Sequence, residues 1–107
     1  MHEITCEQLK ESLGQYKLID VRNPEEYVGE LGHIPGALLV TLGPDVMSFL
    51  ERESHDQPIV FICRSGARSA QTTLLSEELG FTKTYNLVGG MLRWNELGYQ
   101  TTQGEKS

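Results

Sequence analysis

Short apolar runs alternate along this chain with stretches whose apolar residues fall three or four apart, which predicts strands separated by helices. Thr5-Cys6-Glu7-Gln8 has capping-box form, with Thr5 as N-cap and Gln8 three residues on. Leu9 and Leu13 then share a helical face, and Gly14 supplies a stop. Tyr16 to Val21 reads as a strand, and Asn23-Pro24-Glu25-Glu26 as an N-cap with proline and two acids opening a helix. Gly32-His33-Ile34-Pro35-Gly36 is a turn-rich loop leading into the apolar run Ala37 to Leu42. Over Asp45 to Arg52, Val46, Phe49 and Leu50 fall on one side of a helix.

Ile59-Val60-Phe61-Ile62 is apolar at every position, the mark of a strand covered on both faces. After it come Cys63-Arg64-Ser65-Gly66-Ala67-Arg68-Ser69, a helix through Leu79 stopped by Gly80, a strand from Thr84 to Val88, and a Gly89-Gly90 turn. A last helix runs from Met91 to Leu97. This succession predicts one domain over residues 1–100: an α/β fold with a mainly parallel sheet and helices on both faces. The polar tail 101–107 is expected to fray.

In parallel sheets ligands bind beyond the carboxyl ends of the strands. That rule points to Asp20-Val21-Arg22, to the loop opening at Cys63, and to Gly89-Gly90. Of these, the Cys63 loop carries the strong nucleophile. Backbone N–H groups converge between a strand and a following helix, and the helix dipole favours an anion there. Gly66 lets the loop curl, and Arg64 and Arg68 add positive charge on either side. A helix terminus contributes up to ~2 kcal/mol to an anion, about 1.5 pH units in a thiol's ionisation. A thiolate at neutral pH is therefore expected at Cys63, and it needs no histidine base. As a plain buried cysteine, Cys63 would not need an Arg-Ser-Gly-Ala-Arg-Ser sequence after it. Cys6, inside an N-terminal cap, reads as structural.

Composition narrows the classes of function. The 107 residues suit a single core without covalent staples, and the net charge of −6 argues against a nucleic-acid binder. Any anion site must then work against the overall field. The longest apolar run, Ile59 to Cys63, is far too short to span a membrane. The first residues lack the basic and apolar regions of a signal peptide, which sets a cytoplasmic expectation. Two cysteines outside any CxxC pair, and histidines scattered at 2, 33 and 55, predict no metal and no other cofactor.

Three ordered motifs resemble those of the rhodanese family: Leu18-Ile19-Asp20-Val21-Arg22 with Glu26-Tyr27 and Gly32 to Ala37; Cys63 to Ser69; and Gly89-Gly90-Met91 with Trp94 and Gly98. Together they span Ile4 to Tyr99. The loop resembles the arginine-containing form found in single-domain members. One departure is Gln100, where many members have a proline. The resemblance implies a five-stranded parallel sheet and a sulfurtransferase. Cys63 would take sulfane sulfur from thiosulfate or a persulfide donor, hold it as a persulfide, and pass it to a thiophile. That acceptor would be cyanide in assays and a cellular thiol, such as thioredoxin or another small thiol protein, in life. Arg64, Ser65, Gly66, Ala67, Arg68 and Ser69 would bind the donor, the arginines orienting its sulfonate. Asp20 and Arg22 would tie loops together rather than react.

The remaining polar residues have plainer readings. His33 is expected to hydrogen-bond backbone, Trp94 to anchor the core, and Glu25, Glu26, Glu77 and Glu78 to face water. Two rival functions remain. Cysteine phosphatases use a similar cradle, but their loop is Cys-x5-Arg; here Arg68 comes one residue early and Ser69 takes that slot. A dedicated persulfide carrier would also retain Cys63, and comparing multiple with single turnover separates it from an enzyme.

Overall fold

The computed structural model describes residues 1–104. Its centre is β4 (Ile59–Ile62), every residue of which is buried. The alternation of a strand explains how. Val60 and Ile62 enter a core with Leu9, Leu18, Met91 and Trp94, while Ile59 and Phe61 enter another with Ile19, Val46 and Leu50. The apolar-throughout pattern is thus a sheet with two packed faces.

Five strands form that sheet: β1 (His2–Ile4), β2 (Lys17–Asp20), β3 (Leu38–Leu39), β4 and β5 (Thr84–Leu87), in the order β1-β5-β4-β2-β3. All four pairings are parallel. Parallel neighbours need crossovers, and the helices supply them. The first is α1 (Cys6–Ser12), whose Thr5 hydroxyl accepts from Gln8 N–H while Gln8 Oε1 accepts from Thr5 N–H. After it, Leu13–Gln15 forms a 3-10 turn instead of ending at Gly14. Helix α2 (Pro24–Tyr27) is a single turn in which Glu26 Oε1 accepts from Asn23 N–H. Helix α3 (Pro44–Arg52) buries Val46 and Leu50. Helix α4 (Ala67–Glu78) follows the Cys63 loop, and α5 (Gly90–Glu96) follows β5. No helix among the described residues is long and apolar enough to cross a membrane.

Three features depart from the sequence reading. Strand β1 was not anticipated; of its three residues only Ile4 is buried. The Ala37–Leu42 run yields just two strand residues. The tail is not frayed at its start: His33 and Thr102 exchange backbone hydrogen bonds at 2.9 Å, and Gln103 Nε2 donates to the Glu30 carbonyl. Backbone pairing with a buried loop outweighs the polar character of these side chains. Residues 105–107 of the expected tail lie outside the described residues.

Candidate active site

Cys63 directly follows the central strand, and a three-residue loop leads from it into α4. Gly66, the helix N-cap, has φ 105°, a left-handed angle that suits glycine, and no side chain caps the helix. Amides at the start of a helix lack intrahelical partners, and here those of the loop, the N-cap Gly66 and Ser69 in the first turn face the cysteine sulfur. Gly66 N donates to Cys63 Sγ at 3.0 Å, and the amides of Ser65 and Ser69 lie near enough to favour negative charge on it. Ser69 Oγ stands 3.3 Å away.

The other side of the loop explains the Gly89-Gly90 motif. The carbonyls of Cys63 and Arg64 accept hydrogen bonds from Met91 N (2.9 Å) and Leu92 N (3.0 Å) in the first turn of α5. Anchoring the carbonyls there helps hold the amides toward the sulfur. The approach is so close that a Cβ on Gly90 would lie 2.5 Å from the Cys63 oxygen and 2.6 Å from that of Arg64.

These contacts set the thiol's acidity. Burial disfavours the charged sulfur and is the largest single influence. The Ser69 hydroxyl and the amides of Ser69, Gly66 and Ser65 together outweigh it, so Cys63 ionises below the ordinary thiol value. Cys6 shows burial without that compensation. Its Sγ sits 3.8 Å from the carbonyls of Val88 and Gly90, and desolvation, aided by the Glu7 carboxylate, pushes it up to about 11. The two buried thiols thus shift in opposite directions.

The arginines depart from expectation. Both were expected to flank the sulfur and lower its pKa; the largest influences that pull Cys63 down are hydrogen bonds, and Arg68 shares a weaker charge interaction with the sulfur. Arg68 is gripped by Glu26 through two bonds, Nη1 to Oε1 at 2.7 Å and Nη2 to Oε2 at 2.9 Å. That bond, the largest cause, holds the Glu26 carboxyl down at about 2. Glu26 is therefore not the solvated acid its neighbours suggested. Arg64 is exposed, and among the described residues no ion pair holds it. It borders a groove of about 260 Å³ that Glu25, Glu26 and Glu30 also line.

The other candidates fall as follows. Asp20 and Arg22 form a fully buried pair, with Arg22 Nε on Oδ1 at 2.9 Å and Nη2 on Oδ2 at 2.8 Å. Nη2 also reaches the Gly32 carbonyl, which ties the β2 end to the turn-rich loop. His33 stacks on Tyr27, with its Nδ1 2.8 Å from the Tyr27 carbonyl. Trp94 is buried and donates to the Gln100 carbonyl at 2.9 Å. Ala67 and Ser65 are exposed at the loop rim. Sequence reasoning missed Asn86, whose side-chain oxygen accepts from Ser69 Oγ at 2.5 Å. The available signal was its place on the strand beside β4, in register with Phe61.

Fold and site together define a class: a parallel α/β domain that holds a cysteine sulfur in a ring of amides at the end of its central strand. The pattern of the rhodanese-like domain matches residues 5–97, and the chain belongs to that family. YtwF of Bacillus subtilis is 43% identical over 95 residues, covering 86% of this chain and 88% of that protein. A protein of Allochromatium vinosum named as a sulfurtransferase is 34% identical over 103 residues, 92% of each chain. The solved structure of a human single-domain sulfurtransferase, TSTD1, superposes with a TM-score of 0.79 at 28% identity, covering 90% of this chain and 96% of that one.

Proposed function

We propose that this chain is a sulfurtransferase that carries sulfane sulfur as a persulfide on Cys63. The observation that supports it best is the convergence of three backbone amides and the Ser69 hydroxyl on one sulfur atom. Such a ring stabilises negative charge without supplying a base, which is what successive sulfur-anion states require.

The Cys63 thiolate attacks the outer sulfur of a small anionic donor of the thiosulfate type. The donor's S–S bond breaks, sulfite leaves with the bonding electrons, and Cys63–S–S⁻ remains. A thiol acceptor, as its thiolate, then attacks the outer sulfur and departs as a persulfide while Cys63 returns to thiolate. With cyanide the product is thiocyanate. Cys63 is only 1% exposed, but a transferred sulfur stands roughly 2 Å further out, where a small protein thiol such as thioredoxin could meet it. Arg64, unpaired at the loop rim, orients the donor's sulfonate. Ser69, in the slot where a phosphatase loop has its arginine, sets an uncharged hydroxyl 3.3 Å from the sulfur, which favours sulfur transfer over phosphate chemistry.

Peptide mass spectrometry after thiosulfate treatment tests this reading. One extra sulfur on the Cys63 peptide is expected. Extra mass on Cys6, or hydrolysis of an aryl phosphate with no sulfur loading, would overturn it.

A further inference from the structure

Ser69 has one hydroxyl hydrogen and two claimants for it. Its Oγ lies 3.3 Å from Cys63 Sγ on one side and 2.5 Å from Asn86 Oδ1 on the other. All three residues are buried. A thiol at Cys63 gives its own hydrogen to Ser69 Oγ, and Ser69 then donates to Asn86 Oδ1, an unbroken chain of donors. A thiolate has none to give. It needs the hydrogen of Ser69, and Asn86 Oδ1 would then face an oxygen with nothing between them, a costly arrangement in a buried site.

A carboxamide resolves the conflict. Turned over about its last bond, Asn86 presents Nδ2–H to Ser69 Oγ and keeps the chain of donors intact. A carboxylate there could only accept, and an alkyl group could do neither. β5 delivers Asn86 to this spot because it pairs directly with the strand that ends at Cys63.

We infer that Asn86 is a positioning residue whose amide turns with the charge on Cys63. It releases the Ser69 hydroxyl to the thiolate in the free protein. It takes the hydroxyl back when Cys63 Sγ becomes the uncharged inner atom of a persulfide. The serine proton stays on its own oxygen throughout and changes only its direction. The second half of the cycle rests on the persulfide reading above; the first half does not.

Alkylation of Cys63 by iodoacetamide, followed against pH in a Cys6→Ser background, tests the first half without any sulfur donor. Asn86→Asp keeps the serine hydrogen for itself, so the midpoint should rise and alkylation at neutral pH should slow about tenfold or more. Asn86→Leu offers no competing acceptor, so the midpoint should stay put or fall. A rise with leucine would overturn the inference. Added charge alone could mimic the aspartate effect, so the change is repeated in Ser69→Ala. There the slowing should shrink; a slowing of full size would overturn the inference. If the aspartate variant fails to fold, leucine in the Ser69→Ala background decides, since it should move nothing further. These titrations and the persulfide mapping can fail independently.

Discussion

Replacing Glu26 with glutamine keeps the side chain's shape and removes the charge that grips Arg68. In the native protein the carboxyl lies at about 2 against an ordinary 4.5. At ~1.4 kcal/mol per pH unit, that gap caps the pair's worth at roughly 3 kcal/mol. The two side chains are 34% and 28% exposed, so screening by water brings the expected loss to about 1 kcal/mol, roughly 4 °C in melting temperature. The sign follows from a depressed carboxyl. Its stabilisation is full above the unfolded value near 4.5 and is lost as pH falls through about 2. The melting-temperature difference between native protein and variant should therefore be constant near neutrality and narrow as pH falls from about 5 toward 3. Activity should move the other way. Arg68, released, becomes available to an anionic donor, and the KM for thiosulfate should fall. Glu25→Gln removes the same charge from the same groove without touching the pair, and serves as control. Equal KM changes in both variants would refute the latch, as would a melting difference that does not narrow in acid.

Other outcomes follow from the same contacts. Cys63→Ser should abolish sulfur loading while the circular dichroism spectrum and melting temperature stay near native; Cys6→Ser should preserve both loading and fold. Gly90→Ala forces a Cβ against two loop carbonyls at a φ of +56°; it should cost at least ~2 kcal/mol in a urea titration and raise the pH needed to alkylate Cys63. Asp20→Ala leaves Arg22 buried without its carboxylate, and chemical denaturation should show a loss of about 3–5 kcal/mol.

What was legible in the sequence was local. The capping box at Thr5, the acid-rich start at Asn23, the uniformly apolar Ile59–Ile62 and the Cys63 loop depend on residues within a few positions of one another, and each lies where its pattern indicates. Pairings across the fold were not legible. Glu26 and Arg68 are 42 residues apart, Ser69 and Asn86 are 17 apart, and no spacing rule links them. Arg64 and Arg68 looked alike as positive neighbours of a cysteine. Only the tertiary position of Glu26 shows one neutralised and the other left exposed. β1 escaped because three residues with one buried side chain carry no periodicity; its pairing with β5 defines it. The beginning of the tail escaped for a related reason, since backbone bonds to His33, rather than side-chain character, hold it down.

The central claim is that amides and a serine hydroxyl keep the Cys63 sulfur charged. It is tested most directly by following thiolate absorbance against pH in the Cys6→Ser protein. A single titration is expected, with its midpoint below the ordinary thiol value of 9.0. A midpoint at or above that value would mean that burial prevails over the cradle, and would contradict the account.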